Sequence, residues 1–166
     1  MYDYVLQYGF DINSQNTIQD IKDYLISNGI KDRERKWIPH ITIDLYNCNN
    51  HDEFFNKLDS IINKIEHFNV EFRMLNNCNG ETLYIEPHNK EKLMELKRLF
   101  DKELNEYMLA NRRTRTYIPH ATINTSDFLE ESIKLSNEKF SPFVSKVKYI
   151  WVYNFDMELI KEYELK

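Results

Sequence analysis

One eight-residue pattern occurs twice and limits what this chain can fold into. KWIPHITI (36–43) is followed by TYIPHATI (116–123), and a basic segment, 31–36 or 111–115, precedes each copy. Because side chains alternate between the two faces of a β-strand, each copy read as a strand has one apolar face. The opposite face carries His and Thr, about 7 Å apart along the strand. We therefore expect the fold to contain two strands that each have an apolar face and a His-Thr face.

The sequence around the two motifs alternates strand and helix patterns. Strands are predicted at 2–10 and 146–155, a hairpin at 69–87 with its turn at 76–80, and a last strand at 158–166. Apolar stripes predict helices at 14–28, 52–68 and 89–109, with a short helix at 127–135. This order predicts an α+β fold, with two related lobes joined near 76–80 in a single domain over 1–166.

Composition excludes several classes of protein and site. A net charge of −5 argues against a general nucleic-acid coat, and three glycines are too few for the glycine-rich nucleotide loops. ATP is therefore not an expected cofactor. No apolar run is long enough to span a bilayer and the first residues do not resemble a signal peptide. We expect a cytoplasmic monomer with no membrane partner, in which Cys48 and Cys78 are free thiols.

The doubled His-Thr pair suits acid-base chemistry on a phosphodiester. The ordinary pKa of histidine, about 6.5, makes both protonation states accessible near neutrality. One neutral imidazole can take a proton from an attacking hydroxyl or water while the other, protonated, gives one to the departing oxygen. The hydroxyls of Thr42 and Thr122 can donate to the phosphate oxygens between His40 and His120. This scheme needs no metal and no cofactor.

Other interpretations of these residues stay open. A single His-x-Thr is most often structural, and Pro87-His88, a third Pro-His pair, lacks the following hydroxyl. A metal site is the competing functional interpretation. Zinc usually takes three or four ligands, whereas each motif offers one His, and the carboxylate of Asp44 is replaced by Asn124 in the second copy.

The paired motifs His40-Ile41-Thr42 and His120-Ala121-Thr122 resemble those of the 2H phosphoesterase superfamily, which includes 2′-5′ RNA ligase-like proteins and cyclic phosphodiesterases. The resemblance implies two pseudo-symmetric lobes whose antiparallel sheets form a central groove, with helices packed on the outer faces. It implies that His40 and His120 are acid and base, and that Thr42 and Thr122 bind phosphate. The implied reaction is hydrolysis or transfer at 2′,3′-cyclic phosphate or 2′-5′ linkages of RNA or nucleotides.

The substrate and its further contacts are less defined by the sequence. RNA ends or a cyclic nucleotide are the expected partners. Lys36 and Arg115 adjoin the motifs and can meet phosphate, and Tyr84 either stacks on a base or is an ordinary strand residue. The alternative function is a module that binds RNA or a cyclic nucleotide in the same groove without physiological turnover. A purely structural protein leaves the doubled polar pair unexplained.

Overall fold

The computed structural model describes residues 1–34 and 36–166, with helices and strands in the predicted order. The strands and helices are β1 (Tyr4–Phe10), α1 (Ile12–Ser27), β2 (His40–Tyr46), α2 (His51–Ile62), β3 (Phe68–Cys78), β4 (Thr82–Pro87), α3 (Glu91–Glu103), a 3-10 turn (Asn105–Tyr107), β5 (Ala121–Thr125), α4 (Leu129–Lys139), β6 (Phe143–Asn154) and β7 (Leu159–Glu164). Their arrangement confirms the predicted α+β class.

The strands form one antiparallel sheet that is not closed. Its order is β2-β1-β6-β3-β4-β5, and β7 pairs with the second half of β6. The first half of β6 pairs with β3, so β6 links the two parts of the sheet. Although β2 and β5 lie at opposite ends of this order, Cα atoms on the two strands approach within 8 Å. The sheet therefore curls until the two motif strands are neighbours.

The connectivity repeats within the chain. The succession β1-α1-β2-α2-β3 returns as β4-α3-β5-α4-β6, and exchanging each strand for its counterpart reproduces the sheet order read backwards. The two repeats meet at a hairpin turn where Asn79 and Gly80 have φ of 54° and 70°, a conformation that glycine and asparagine tolerate. The motif strands β2 and β5 thus occupy equivalent places. The division into two lobes near 76–80 stays a prediction.

Two helices are shorter than predicted. The helix expected over 52–68 ends at Ile62, because Lys64 and Ile65 bond to carbonyls three residues back and tighten the last turn. Ile65 is still buried, which explains why it extended the apolar stripe, whereas Phe68 begins β3. The helix expected over 89–109 ends at Glu103 and continues as the 3-10 turn.

Capping side chains mark the starts of α1 and α2. The Asp11 side chain accepts a hydrogen bond from the Ser14 N–H at the start of α1, and the Asn50 side chain accepts one from the Glu53 N–H at the start of α2.

The main core lies between the helices and the sheet face formed by alternate residues of β1, β2 and β6, including Leu6, Tyr8, Ile41 and Ile150. In the described residues, no helix is long and apolar enough to cross a membrane.

Candidate active site

The two motif strands share an irregularity next to the His-Thr pair. Between Leu6 and Gln7 the register of β1 with β2 shifts so that Ile43 has no partner, and the register of β4 with β5 skips Ile123 in the same way. A bulge of this kind bends its strand and redirects nearby side chains. Asp44 and Asn124, which follow the bulges, are both 2% exposed. The repeat therefore extends from sequence to backbone geometry.

Both imidazoles are fixed through the same ring nitrogen. Nδ1 of His40 lies 2.8 Å from the Ile38 carbonyl oxygen, and Nδ1 of His120 lies 2.7 Å from that of Ile118. Since a carbonyl oxygen only accepts, Nδ1 carries the proton in each ring and Nε2 keeps its lone pair in the neutral form. The Thr42 hydroxyl donates to Nε2 of His40 over 3.1 Å. Nε2 is thus the nitrogen of each ring that the backbone does not hold, and in His40 the Thr42 hydroxyl must turn away before Nε2 can accept a proton from a substrate.

A cleft of about 410 Å³ brings several predicted residues together. Thr42 from β2, Tyr84 from β4, and Arg115 and His120 from the second basic segment and motif line it. The Tyr84 ring packs against the His120 imidazole, with centroids 4.9 Å apart. Thr122 is partly exposed and pairs in register with Tyr84. We call this space the motif cleft; its volume is typical of small-ligand sites.

Three predicted residues are not in the lining of the motif cleft. His40 and Thr122 adjoin residues that line it, Thr42 and Tyr84, whereas Lys36 lies elsewhere. Lys36 belongs to the wall of a second depression, between α1 and the segment before the first motif, and lies outside the motif cleft. His40 is bordered by Trp37, whose ring centroid is 5.9 Å from that of the imidazole. The roles assigned to Lys36, Tyr84 and Arg115 in substrate binding stay predictions.

The two histidines have different electrostatic surroundings. The pKa of His40 is lowered to about 4, chiefly because the surrounding protein keeps water from the ring and also by the positive charges of Lys22 and His120, against the hydrogen bond to Ile38. The pKa of Glu86 is lowered, chiefly by a hydrogen bond from Lys90 and also by the charge of a protonated His120. A cation therefore neighbours His40, whereas a carboxylate interacts with His120.

A buried ion cluster in the wall of the motif cleft is absent from the sequence-based interpretation. Asp44 Oδ2 lies 2.9 Å from Lys97 Nζ, and Asp44 Oδ1 lies 2.6 Å from Arg112 Nε. Lys97 also pairs with Asp101 one turn further along α3. A signal existed in the sequence: Lys97 interrupts the apolar stripe of α3, and a lysine in such a stripe needs a buried partner.

A second contact ties the two motifs to each other. The Tyr117 hydroxyl donates to the main-chain carbonyl of Thr42 over 3.0 Å, so the segment before β5 is fixed to β2. Tyr117 and Trp37 hold the same place in the two copies, and strand alternation put both on the apolar face. Trp37 does pack, on Tyr153, whereas Tyr117 also makes this polar contact.

The sequence also matches a family model. The description of that model is 2′-5′ RNA ligase superfamily, and residues 10–156 match it. This chain belongs to the 2′-5′ RNA ligase superfamily, a group of 2H phosphoesterases. The match includes both motifs and all the elements from α1 to β6. A comparison with curated protein sequences found no match.

Solved structures of this superfamily share the fold. TT0787 of Thermus thermophilus is 9% identical with a TM-score of 0.67, over 98% of this chain and 97% of that one. LigT of E. coli, solved with 3′-AMP, is 10% identical with a TM-score of 0.67, over 99% and 98%. Usb1 of Kluyveromyces marxianus is 10% identical with a TM-score of 0.56, over 98% and 97%. At such identities the similarity establishes the fold alone.

A metal site finds no support among the described residues. Within 1–34 and 36–166, no three His, Cys, Asp or Glu side chains are grouped so that they could hold a metal ion. Asp44, the carboxylate considered for such a site, is occupied by Lys97 and Arg112. Cys48 and Cys78 are free thiols, as predicted. Metal-independent catalysis stays a prediction.

Proposed function

We propose that the chain is a metal-independent phosphoesterase that uses His40 and His120 as an acid-base pair on 2′,3′-cyclic phosphates, or on 2′-5′ linkages, of RNA or nucleotides. One observation carries the proposal. His40 begins β2 and His120 immediately precedes β5, the strand beside it, and each imidazole is anchored through Nδ1 so that Nε2 is the nitrogen left for proton transfer. Acid-base catalysis requires such positioned groups, one for each proton transfer.

The electrostatic difference between the histidines supports an assignment of roles. His40, with its lowered pKa, is neutral at pH 7 and is suited to accept a proton from the attacking water. The Glu86 carboxylate, whose pKa is lowered in part by the charge of His120, lies on the other side of the pair, where a negative charge favours a cationic proton donor. We therefore assign His40 as the base and His120 as the acid for the opening of a cyclic phosphate.

In the opening of a 2′,3′-cyclic phosphate, one histidine accepts a proton and the other donates one. Water attacks phosphorus as Nε2 of His40 takes one of its protons, and the bond from phosphorus to one ribose oxygen breaks. That oxygen receives the proton from Nε2 of His120, which gives a phosphomonoester on the other ribose oxygen. The hydroxyls of Thr42 and Thr122 donate to the non-bridging oxygens as negative charge accumulates on them.

The ligands bound to a solved structure of the same fold are consistent with a phosphomonoester product. E. coli LigT was solved with 3′-AMP and, separately, with phosphate. The first ligand carries a phosphomonoester on a ribose oxygen, the group that opening of a cyclic phosphate leaves. We extend this to the present chain as a proposal, with Tyr84 as a stacking surface for a base and a cytoplasmic monomer as the working form.

The experiment measures opening of nucleoside 2′,3′-cyclic phosphates by purified protein in excess EDTA. We expect turnover, and a loss of about 10²–10⁴-fold in His40→Ala and in His120→Ala. His88→Ala is the matched control, because His88 also follows a proline but its imidazole bonds to Arg73 and it belongs to neither motif. It should keep wild-type activity.

Three outcomes count against the proposal. Full activity in the double variant would show that the two histidines do not catalyse the reaction. Loss of activity in EDTA would contradict a metal-independent mechanism. Tight binding without product, across cyclic phosphates and 2′-5′-linked dinucleotides, favours the alternative of a binding module.

A further inference from the structure

The motif cleft is positively charged in a chain of net negative charge. Among the described residues its lining contains Lys97, Arg112 and Arg115 but a single carboxylate, Asp44, so its formal charge is +2 when the histidine is neutral, against −5 for the whole chain. A 2′,3′-cyclic phosphate carries one negative charge. The cleft therefore has more positive charge than the reacting phosphate neutralises, and low-dielectric walls strengthen its field.

The three cations are not equally available to a ligand. Arg112 and Lys97 are both bound to the buried Asp44 carboxylate. Arg115 differs, since its side chain is exposed and makes no ion pair or hydrogen bond with any residue in 1–34 or 36–166. The neighbouring Arg113 is engaged, because it donates to the Asn105 carbonyl over 3.1 Å and does not line the cleft. Within those ranges, Arg115 is thus the guanidinium left free in the cleft.

We propose that Arg115 binds a second phosphate of the substrate, beside the one held between the two histidines. The inference rests on the proposed function and narrows its substrate class to molecules with a further phosphate near the reacting one. Such a phosphate is either the last internucleotide phosphate of an RNA end or a 5′-phosphate on the reacting nucleoside. A guanidinium suits this role, since its planar fork donates two parallel hydrogen bonds to phosphate oxygens.

The position of Arg115 suits this second contact. It lies five residues before His120, in a tight turn in which its main-chain N–H donates to the Arg112 carbonyl over 3.1 Å. Arg112 is itself fixed by Asp44, and Tyr117 is fixed to the carbonyl of Thr42. The backbone on both sides of Arg115 is therefore anchored, although its side chain is free. Such anchoring lowers the entropy that binding must overcome.

The test compares substrates with and without a second negatively charged phosphate. The first pair is a dinucleotide ending in a 2′,3′-cyclic phosphate and the same molecule with an uncharged methylphosphonate linkage. The second pair is a nucleoside 2′,3′-cyclic phosphate with and without a 5′-phosphate. We expect kcat/KM to favour the charged member of one pair by about tenfold, as for one charge-assisted hydrogen-bonded contact at a partly open site. The pair that responds identifies the source of the phosphate.

The variants connect this preference to Arg115. Arg115→Gln should lower kcat/KM on the charged member of the responding pair by about tenfold, close to the value of its uncharged partner. Arg113→Gln, with the same loss of charge two residues away, should keep the tenfold preference. The preference should also weaken as salt is raised, because it comes from an exposed charge.

The outcomes separate this inference from the proposed function. Equal kcat/KM within both pairs, or equal effects of Arg113→Gln and Arg115→Gln, overturns the second-phosphate site while the phosphoesterase stands. If wild-type protein opens none of the substrates, the proposed function fails, and the site is tested by binding. The dissociation constants of the charged and uncharged dinucleotides should then still differ by about tenfold in wild type and not in Arg115→Gln.

Discussion

The substitution Asp44→Asn is the strongest single test of whether the buried ion cluster stabilises the wall of the motif cleft. Its side chain is 2% exposed, and the side chains of its partners Lys97 and Arg112 are 7% and 18% exposed. Asp44→Asn keeps the size and shape of the side chain and removes its charge. Two cations then face an amide in a place with little access to water. The second motif already carries an asparagine here, Asn124, which meets Ser132 instead of cations.

The expected cost follows from the burial of each partner. Removing one member of a buried ion pair typically costs about 3–5 kcal/mol, because the remaining charge is left uncompensated. Lys97 keeps Asp101, whose side chain is 38% exposed, and Arg112 can turn toward water. The value should therefore lie near the lower end, at about 3 kcal/mol. For a chain of this length that corresponds to a fall in Tm of about 6–12 °C.

Urea unfolding followed by circular dichroism at pH 7 measures this cost. Asp101→Asn is the matched control, since it removes a carboxylate from the same lysine at a more exposed position and should cost less than about 1 kcal/mol. An Asp44→Asn stability within about 0.5 kcal/mol of wild type contradicts the reasoning, since that is the usual range of surface changes. So does an equal cost for the two substitutions.

Three further predictions concern single groups. Gly9→Ala should cost at least about 1–3 kcal/mol in thermal unfolding, because a Cβ there lies 2.6 Å from the buried Trp151 ring; an unchanged Tm contradicts this. Tyr117→Phe should lower the free energy of unfolding in urea by about 1 kcal/mol, because it removes the hydrogen bond to the carbonyl of Thr42. A stability equal to wild type would show that this hydrogen bond does not stabilise the fold. The acid limb of the pH profile of kcat/KM should lie near pH 4, since His40 as base loses activity only as pH falls through its lowered pKa. A limb at about pH 6.5, the ordinary pKa of histidine, in protein still folded by circular dichroism contradicts the assignment.

The parts of the fold that depend on local periodicity could be predicted from the sequence. Alternation placed Ile41 and Ile43 in the core and left His40 and Thr42 partly exposed, as observed. The order of strands and helices followed from the same signals. Their ends were less accurate, because Ile65 continues the apolar stripe of α2 after the helix has turned away. Periodicity reports burial, and a buried residue need not be helical.

The electrostatics of the site could not be predicted in this way. The contact of Asp44 with Arg112 joins residues 68 positions apart, and Lys97 reaches the same carboxylate from α3. Only the curled sheet brings these groups together. The difference between the two histidines likewise depends on the protein atoms around the partly exposed His40 ring, which disfavour its charged form, and on Lys22 from α1. From their motifs alone His40 and His120 were equivalent, and tertiary contacts distinguish them.

In the proposed mechanism, both imidazoles hold one phosphate through Nε2. NMR of protein with 15N-labelled histidines measures this directly during titration with a nucleoside 3′-monophosphate. We expect the Nε2 resonances of His40 and His120 to shift together and to saturate with one dissociation constant, while those of His51, His67 and His88 stay in place. A shift in only one of the two rings, or saturation at different concentrations, would contradict it.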